Sequence, residues 1–114
     1  MIAHVILFSP KDDLSPDARR LLLEALVAAS AGIPSIRKFR VGRRIKHGLP
    51  GYEQMMADDY EYGAIIEFDD VEGLKAYLVH PSHAAVGRHF SASASRSLAY
   101  DYAIVDASDA QQLP

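Results

Sequence analysis

Five histidines and a handful of tyrosines are the residues of this chain best suited to chemistry. Histidine ordinarily titrates near neutrality, so a modest shift lets it take or give a proton. Tyrosine supplies a hydroxyl that can donate to an oxygen on which charge develops. Three such residues crowd one segment, Tyr77-Leu78-Val79-His80-Pro81-Ser82-His83, and His4 interrupts the apolar run Ile2 to Phe8. After Pro81, His83, Val86 and Phe90 recur at helical spacing, so His83 should turn inward with two apolar neighbours. His80 stands at the helix start, where it suits a cap, and His89 falls off the inward stripe and should be exposed. Tyr62 opens a later apolar segment and adds another hydroxyl.

Taken singly, His4 and His83 also fit core histidines that hydrogen-bond to main chain or to each other. Tyr77 and Tyr62 each fit packing residues with hydroxyls at the surface. Taken together they fit a pocket between sheet and helices. Burial there would keep a histidine neutral, and a tyrosine could donate to a carbonyl oxygen while the histidine takes the adjacent proton. A divalent ion held by His80, His83 and either Glu67 or His4 is the other chemical option. Pro81 separates the two histidines, however, so they need not share a face, and no metal or cofactor is assigned. Neither a glycine-rich phosphate loop nor a nucleophile elbow occurs, which leaves noncovalent acid–base work or plain binding.

The elements that must position these residues can be read along the chain. Ile2 to Phe8 is a strand covered on both sides. Ser15-Pro16-Asp17 starts a helix, with Ala18, Leu22, Ala25 and Ala29 at helical spacing, and Gly32 and Pro34 stop it. Ile36 to Arg43 reads as an edge strand protected by its charges. Gly48-Leu49-Pro50-Gly51 is a turn, followed by a helical turn around Tyr52 to Met56. Tyr60 to Phe68 is a strand. Asp69-Asp70 caps a helix from Val71 to about Leu78, with Val71, Leu74 and Leu78 on one face. A second helix runs from Pro81 to about Phe90. The serine-rich stretch Ser91 to Ser97 reads as a fraying end or loop, and Leu98 to Val105 as the last strand. Residues 1–106 thus form one domain and 107–114 a polar, mobile tail.

The order β, α, β, β, α in two pieces, β is the split βαβ, or ferredoxin-like, arrangement: an α+β protomer with a four-stranded antiparallel sheet and helices on one face. The first and last strands are expected at the centre, and both carry apolar residues on both faces. No element is left to cover the second face. A second copy of the sheet is the simplest cover, giving a homodimer through sheet faces with a barrel-like interior.

At 114 residues the chain has room for one such domain. It contains no cysteine, which excludes disulfides, thiolate metal sites and cysteine nucleophiles. The N-terminal run lacks a basic leader and is too short for a membrane span, so a cytoplasmic location is expected. The net charge of −3 conceals an asymmetry. Arg37, Lys38, Arg40, Arg43, Arg44 and Lys46 form a stretch without acids, and eight acids lie between Glu53 and Glu72 without a Lys or Arg. The basic stretch could attract phosphate or nucleic acid, or pair with the acidic one. No helix-turn-helix, zinc module or stacking aromatics accompany it, so nucleic acid is not assigned as a partner.

Several segments together give the chain a family look. They are Met1 to Phe8, Val41-Gly42, Glu67-Phe68, the Tyr77 to His83 box and Asp101-Tyr102. From residue 1 to about 106 the chain resembles the stress-responsive dimeric α/β-barrel (Dabb) family. The resemblance implies a ferredoxin-like protomer that dimerises through its sheets. It also implies one of two functions. The first is cofactor-independent, cyclase- or lyase-like acid–base chemistry on a carbonyl or polyketide-like substrate. The second is a non-catalytic, stress-associated dimer that acts as a scaffold or binds a small apolar or phenolic ligand. Carried over from the family's polyketide cyclase, Tyr77 and His83 would be the catalytic pair. His4 would bind substrate, with Tyr62 standing where the cyclase has another histidine, and His80, Val86 and Phe90 would line the pocket.

Overall fold

The computed structural model describes residues 1–114. In chain order these form β1 (Ile2–Pro10), α1 (Pro16–Gly32), β2 (Lys38–Arg43), β3 (Tyr62–Phe68), α2 (Val71–Leu78), α3 (Pro81–Ser93) and β4 (Ala94–Ala103), with short 3₁₀ turns at Glu53–Met55 and Ala107–Gln112. The polar residues after Asp106 therefore carry a turn of their own. Ser15 caps α1, its hydroxyl accepting from the Ala18 N–H at 3.1 Å, and Pro16 occupies the first turn. Leu22, Leu26 and Ala29 are the residues that α1 buries.

The Asp70 carboxylate caps α2 through the Gly73 N–H at 2.8 Å. The buried face of α2 is Leu74 with Tyr77, whereas Val71 and Leu78 are exposed, which corrects the expected stripe. An aromatic ring has more apolar surface to remove from water than either alternative, and Tyr77 takes the inward position with its hydroxyl end included. The serine-rich stretch is not a loop: α3 extends to Ser93 and β4 begins at Ala94. Small residues permit this abrupt junction, and the Ser95 hydroxyl donates to the main-chain oxygen of Ser9.

The strands are antiparallel in the order β2-β3-β1-β4. As expected, β2 lies at an edge. The last strand, expected at the centre, lies at the other edge, and β3 takes the central place beside β1. The burial explains the exchange. On β3, Ala64, Ile66 and Phe68 are almost wholly buried under the helices. The corresponding residues of β4, Ser97, Ala99, Asp101 and Ala103, are small or charged and exposed. The helix layer thus covers β3 and β1, reaches only Phe39 of β2, and leaves β4 open. Phe8, Leu22, Leu26, Ile66, Phe68 and Tyr77 are the largest side chains sealed in the core.

No helix covers the other face of the sheet. Its side chains stand in rows set by the strand register: Gly42, Gly63, Leu7, Leu98; then Arg40, Ile65, Val5, Tyr100; then Lys38, Glu67, Ala3, Tyr102. Between β2 and β3 the chain makes an excursion, residues 44–60, whose tip turns at Gly48 and Gly51 with φ of 79° and 87°. Its base is pinned by charge: Asp59 meets Arg44 at 2.5 Å and Lys46 at 2.8 Å, and Asp58 meets Arg96 at 2.9 Å.

Candidate functional site

His4 lies mid-way along β1 and faces the helices, only 5% exposed. Antiparallel register sets Asp101 of β4 directly opposite, and the His4 Nδ1 and Asp101 Oδ1 atoms are 2.5 Å apart. The carboxylate accepts the Nδ1 proton, which fixes the ring tautomer and leaves Nε2 free. Tyr77 descends from α2 and brings its ring to 5.5 Å from His4, edge-on. On the other side of Tyr77, His83 of α3 approaches at 4.7 Å between ring centres. Phe68 packs against Tyr77 at 5.3 Å and closes the floor. Four polar side chains from four elements thus form a file: Asp101, His4, Tyr77, His83.

Burial lowers the pKa of His83 below the usual imidazole value. The proximity of His4 adds to that shift, and the Leu78 main chain opposes it. His83 is therefore neutral at pH 7 and able to accept a proton. Burial, with the nearby Asp101 charge, pushes the Tyr77 hydroxyl up to about 12, so it keeps its proton and can only donate at neutral pH. The file thus sets a neutral base beside an acid that does not ionise.

The remaining sequence candidates are distributed differently. Tyr62 stacks on Phe8 at 5.3 Å, and Phe90 meets the same ring edge-on at 4.8 Å. Both pack on Phe8, on the same helix-facing side of the sheet as His4 but two pleat repeats further along β1. Val86 is buried in the core beside this group. His80 caps α3, its Nδ1 accepting from the Ser82 N–H at 3.1 Å. Glu67 faces the opposite side of the sheet from His4, and nowhere do three His, Asp or Glu side chains converge in a way that would hold an ion. Asp101, which the sequence reading used only for the family resemblance, was not among the candidate site residues. The signal was available in the alternation of the last strand, which sets Asp101 among small residues on the side opposite Tyr100 and Tyr102.

A hollow of about 880 Å³ lies away from these residues. It lies on the uncovered face of the sheet, lined by Val5, Leu7 and Ile65 and roofed by Met56 and Tyr60 of the excursion. The His4–Tyr77–His83 group lies beside β4, whose Ala99, Asp101 and Ala103 are exposed, while His4 and Tyr77 themselves are buried. The basic stretch is largely spent within the chain: Arg37 pairs with Asp69, Arg40 with Glu67, Arg43 with Glu61, and Arg44 and Lys46 with Asp59. No helix is long and apolar enough to cross a membrane.

Comparison with known proteins agrees with this architecture. An uncharacterised protein of Streptomyces coelicolor is 31% identical over 87 residues, spanning 75% of this chain and 81% of that one. A dimeric protein of unknown function with a ferredoxin-like fold from Bacteroides fragilis is 26% identical. The match covers 90% of this chain and 95% of that one, with a TM-score of 0.67. The hydroxynitrile lyase of Passiflora edulis shares the fold at a TM-score of 0.79 over 92% of this chain and 94% of its own, with 15% identity. The model of the stress responsive A/B barrel domain, Dabb, matches residues 2–104. The chain belongs to the Dabb family.

Proposed function

We propose that this protein is a cytoplasmic homodimer that binds a small apolar or phenolic carbonyl compound beside β4 and moves a proton on it without a cofactor. The observation that carries this reading is the file Asp101–His4–Tyr77–His83, in which a neutral imidazole and a protonated phenol flank one another beside the edge strand β4. His83 would remove a proton next to the carbonyl. Tyr77 would donate to the oxygen on which negative charge gathers. His4, oriented by Asp101, would bind a second oxygen of the ligand through Nε2. Tyr62, His80, Val86 and Phe90 support the walls and the helix that carries His83. The dimer rests on the uncovered apolar face of the sheet and on the dimeric relative from Bacteroides fragilis.

Proton removal next to a carbonyl can be measured before any natural substrate is known. A panel of aryl methyl ketones and acetylated phenols is incubated with the protein in deuterated buffer, and exchange of the α-protons is followed by NMR. The wild-type chain should accelerate exchange in at least one compound. His83→Ala should abolish the acceleration, and Tyr77→Phe should reduce it by roughly 10²-fold, the usual scale of one positioned acid. Compounds that shift the His4 and His83 ring signals without exchanging would favour a binding protein or scaffold. Neither exchange nor binding across the panel would overturn the proposed site.

A further inference from the structure

The file Asp101–His4–Tyr77–His83 carries a charge that nothing outside it balances. With His4 donating from Nδ1 the ring is neutral, so the Asp101 carboxylate leaves the pair with a single negative charge. His4 is its only ion-pair partner, and 42% of the Asp101 side chain is exposed. Its neighbours on the same face of β4 are Ser97, Ala99 and Ala103, none of them charged. The charge is felt within the file: burial first, and then Asp101, raises the pKa of the Tyr77 hydroxyl.

The elements around the file direct their cations elsewhere. Arg96 of β4 projects from the opposite face of the sheet to Asp101 and binds Asp58 at 2.9 Å. Lys75 of α2 stands two residues before Tyr77, about 200° round the helix, and pairs with Glu72. Arg88 of α3 is exposed and stands five residues after His83, about 140° round that helix. The N-terminal ammonium acts on Asp69. The basic stretch runs along β2, three strand spacings or roughly 14 Å from β4. A helix N-terminus ordinarily attracts anions, but that of α3 is closed from within. The Ser82 N–H donates to His80 Nδ1, and the His83 and Ala84 N–H groups donate to the His80 main-chain oxygen.

We infer that Asp101 selects the charge of the ligand: the site takes uncharged or cationic carbonyl compounds and turns away those that carry a carboxylate or a phosphate. This inference rests on the proton-transfer reading proposed above and narrows its substrate class. Keto acids and phosphate esters fall outside it, and neutral ketones, esters and phenols fall within it. Asp101 thereby gains a task distinct from orienting His4. A neutral side-chain carbonyl could accept the Nδ1 proton and fix the same tautomer without repelling an anion.

Three ketones of one shape make the test: acetophenone, para-acetylbenzoate and para-acetylphenyl-trimethylammonium. Exchange of their methyl protons is followed by NMR in deuterated buffer at neutral pH and low salt, each rate divided by that in protein-free buffer. Like charges about 7 Å apart at a half-exposed site cost roughly a factor of ten, so the acceleration should be smaller by that factor for para-acetylbenzoate than for acetophenone. The cation should match or exceed acetophenone. Salt at about 1 M, where the Debye length is about 3 Å, should narrow the gap. Asp101→Asn should close it, whatever the overall rate of that variant, and dissociation constants from ligand NMR give the same comparison if the variant no longer exchanges. Equal acceleration of acetophenone and para-acetylbenzoate, or a gap that survives in folded Asp101→Asn, overturns the selection and leaves the proton-transfer reading standing. If Asp101→Asn does not fold, the wild type decides: a gap of the same size at low and high salt refutes the selection. Binding without exchange, with the acid still the weakest ligand, keeps the selection and overturns the proton transfer. Neither binding nor exchange of all three overturns both.

Discussion

Ionising Tyr77 is expected to unfasten the site, and the size of the effect follows from its burial. The hydroxyl is pushed up to about 12 from an ordinary value of 10.0. The folded state therefore holds this proton more tightly than the unfolded chain does. The associated stabilisation is complete below the ordinary tyrosine value and disappears as pH rises through about 12. A two-unit difference corresponds to about 2.7 kcal/mol in full, of which about 1.4 kcal/mol is lost by roughly pH 11. Other groups also titrate in this range, so the measurement is a difference. Urea unfolding of the wild type and of Tyr77→Phe is compared at about pH 9, 10, 11 and 11.5. The wild type should lose about 1–2 kcal/mol more than the variant across that span. Parallel loss in both proteins would mean that the phenol is solvated, and the chemistry assigned to Tyr77 would fall with it.

The lowered pKa of His83 has the opposite dependence. Its neutral form is favoured in the fold, so stability is intact above the ordinary histidine value of 6.5 and should decline as pH falls below it. Urea midpoints of wild type and His83→Gln, compared between about pH 7.5 and 5, should converge towards the acid end. Asp101→Asn removes the carboxylate that fixes the His4 tautomer and part of the charge that holds the Tyr77 proton. A tyrosine absorbance titration should then show the Tyr77 step moved to lower pH. Ser15→Ala deletes the cap of α1 and should cost about 1 kcal/mol in chemical denaturation, leaving any α-proton exchange unchanged. Phe8→Ala removes the ring on which Tyr62 and Phe90 both pack and should cost about 3–5 kcal/mol.

Local chemistry made some of this structure legible in advance. Ser15-Pro16 and Asp70 mark helix starts through side chains that act within three residues, and both starts fall where these residues place them. The burial of His4 followed from its apolar strand neighbours. Non-local competition decided what was misplaced. Strand order depends on which sheet surface the helices cover, and one apolar strand reads much like another until its partners are known, so β3 and β4 were exchanged between centre and edge. The burial of Tyr77 instead of Val71 and Leu78 is a contest between rings and aliphatic side chains for one site under the sheet. Asp101 counted only towards the family resemblance, and its place in the site was missed for a similar reason. Its importance arises from a partner 97 positions away in sequence, and only the β1–β4 register brings them together.

That register also sets a timetable for synthesis. The strand at the middle of the sheet is the first to be made, and both of its neighbours come later, the nearer one in sequence starting at Tyr62 and the other ending at Ala103. While the ribosome works through the intervening residues, β1 waits with unpaired edges and apolar side chains, a state that attracts other nascent chains and the chaperones that shield them. Closure of β4 against β1 ends that exposure. It brings Asp101 to His4 in the same motion, so the candidate site is assembled by the pairing that completes the sheet.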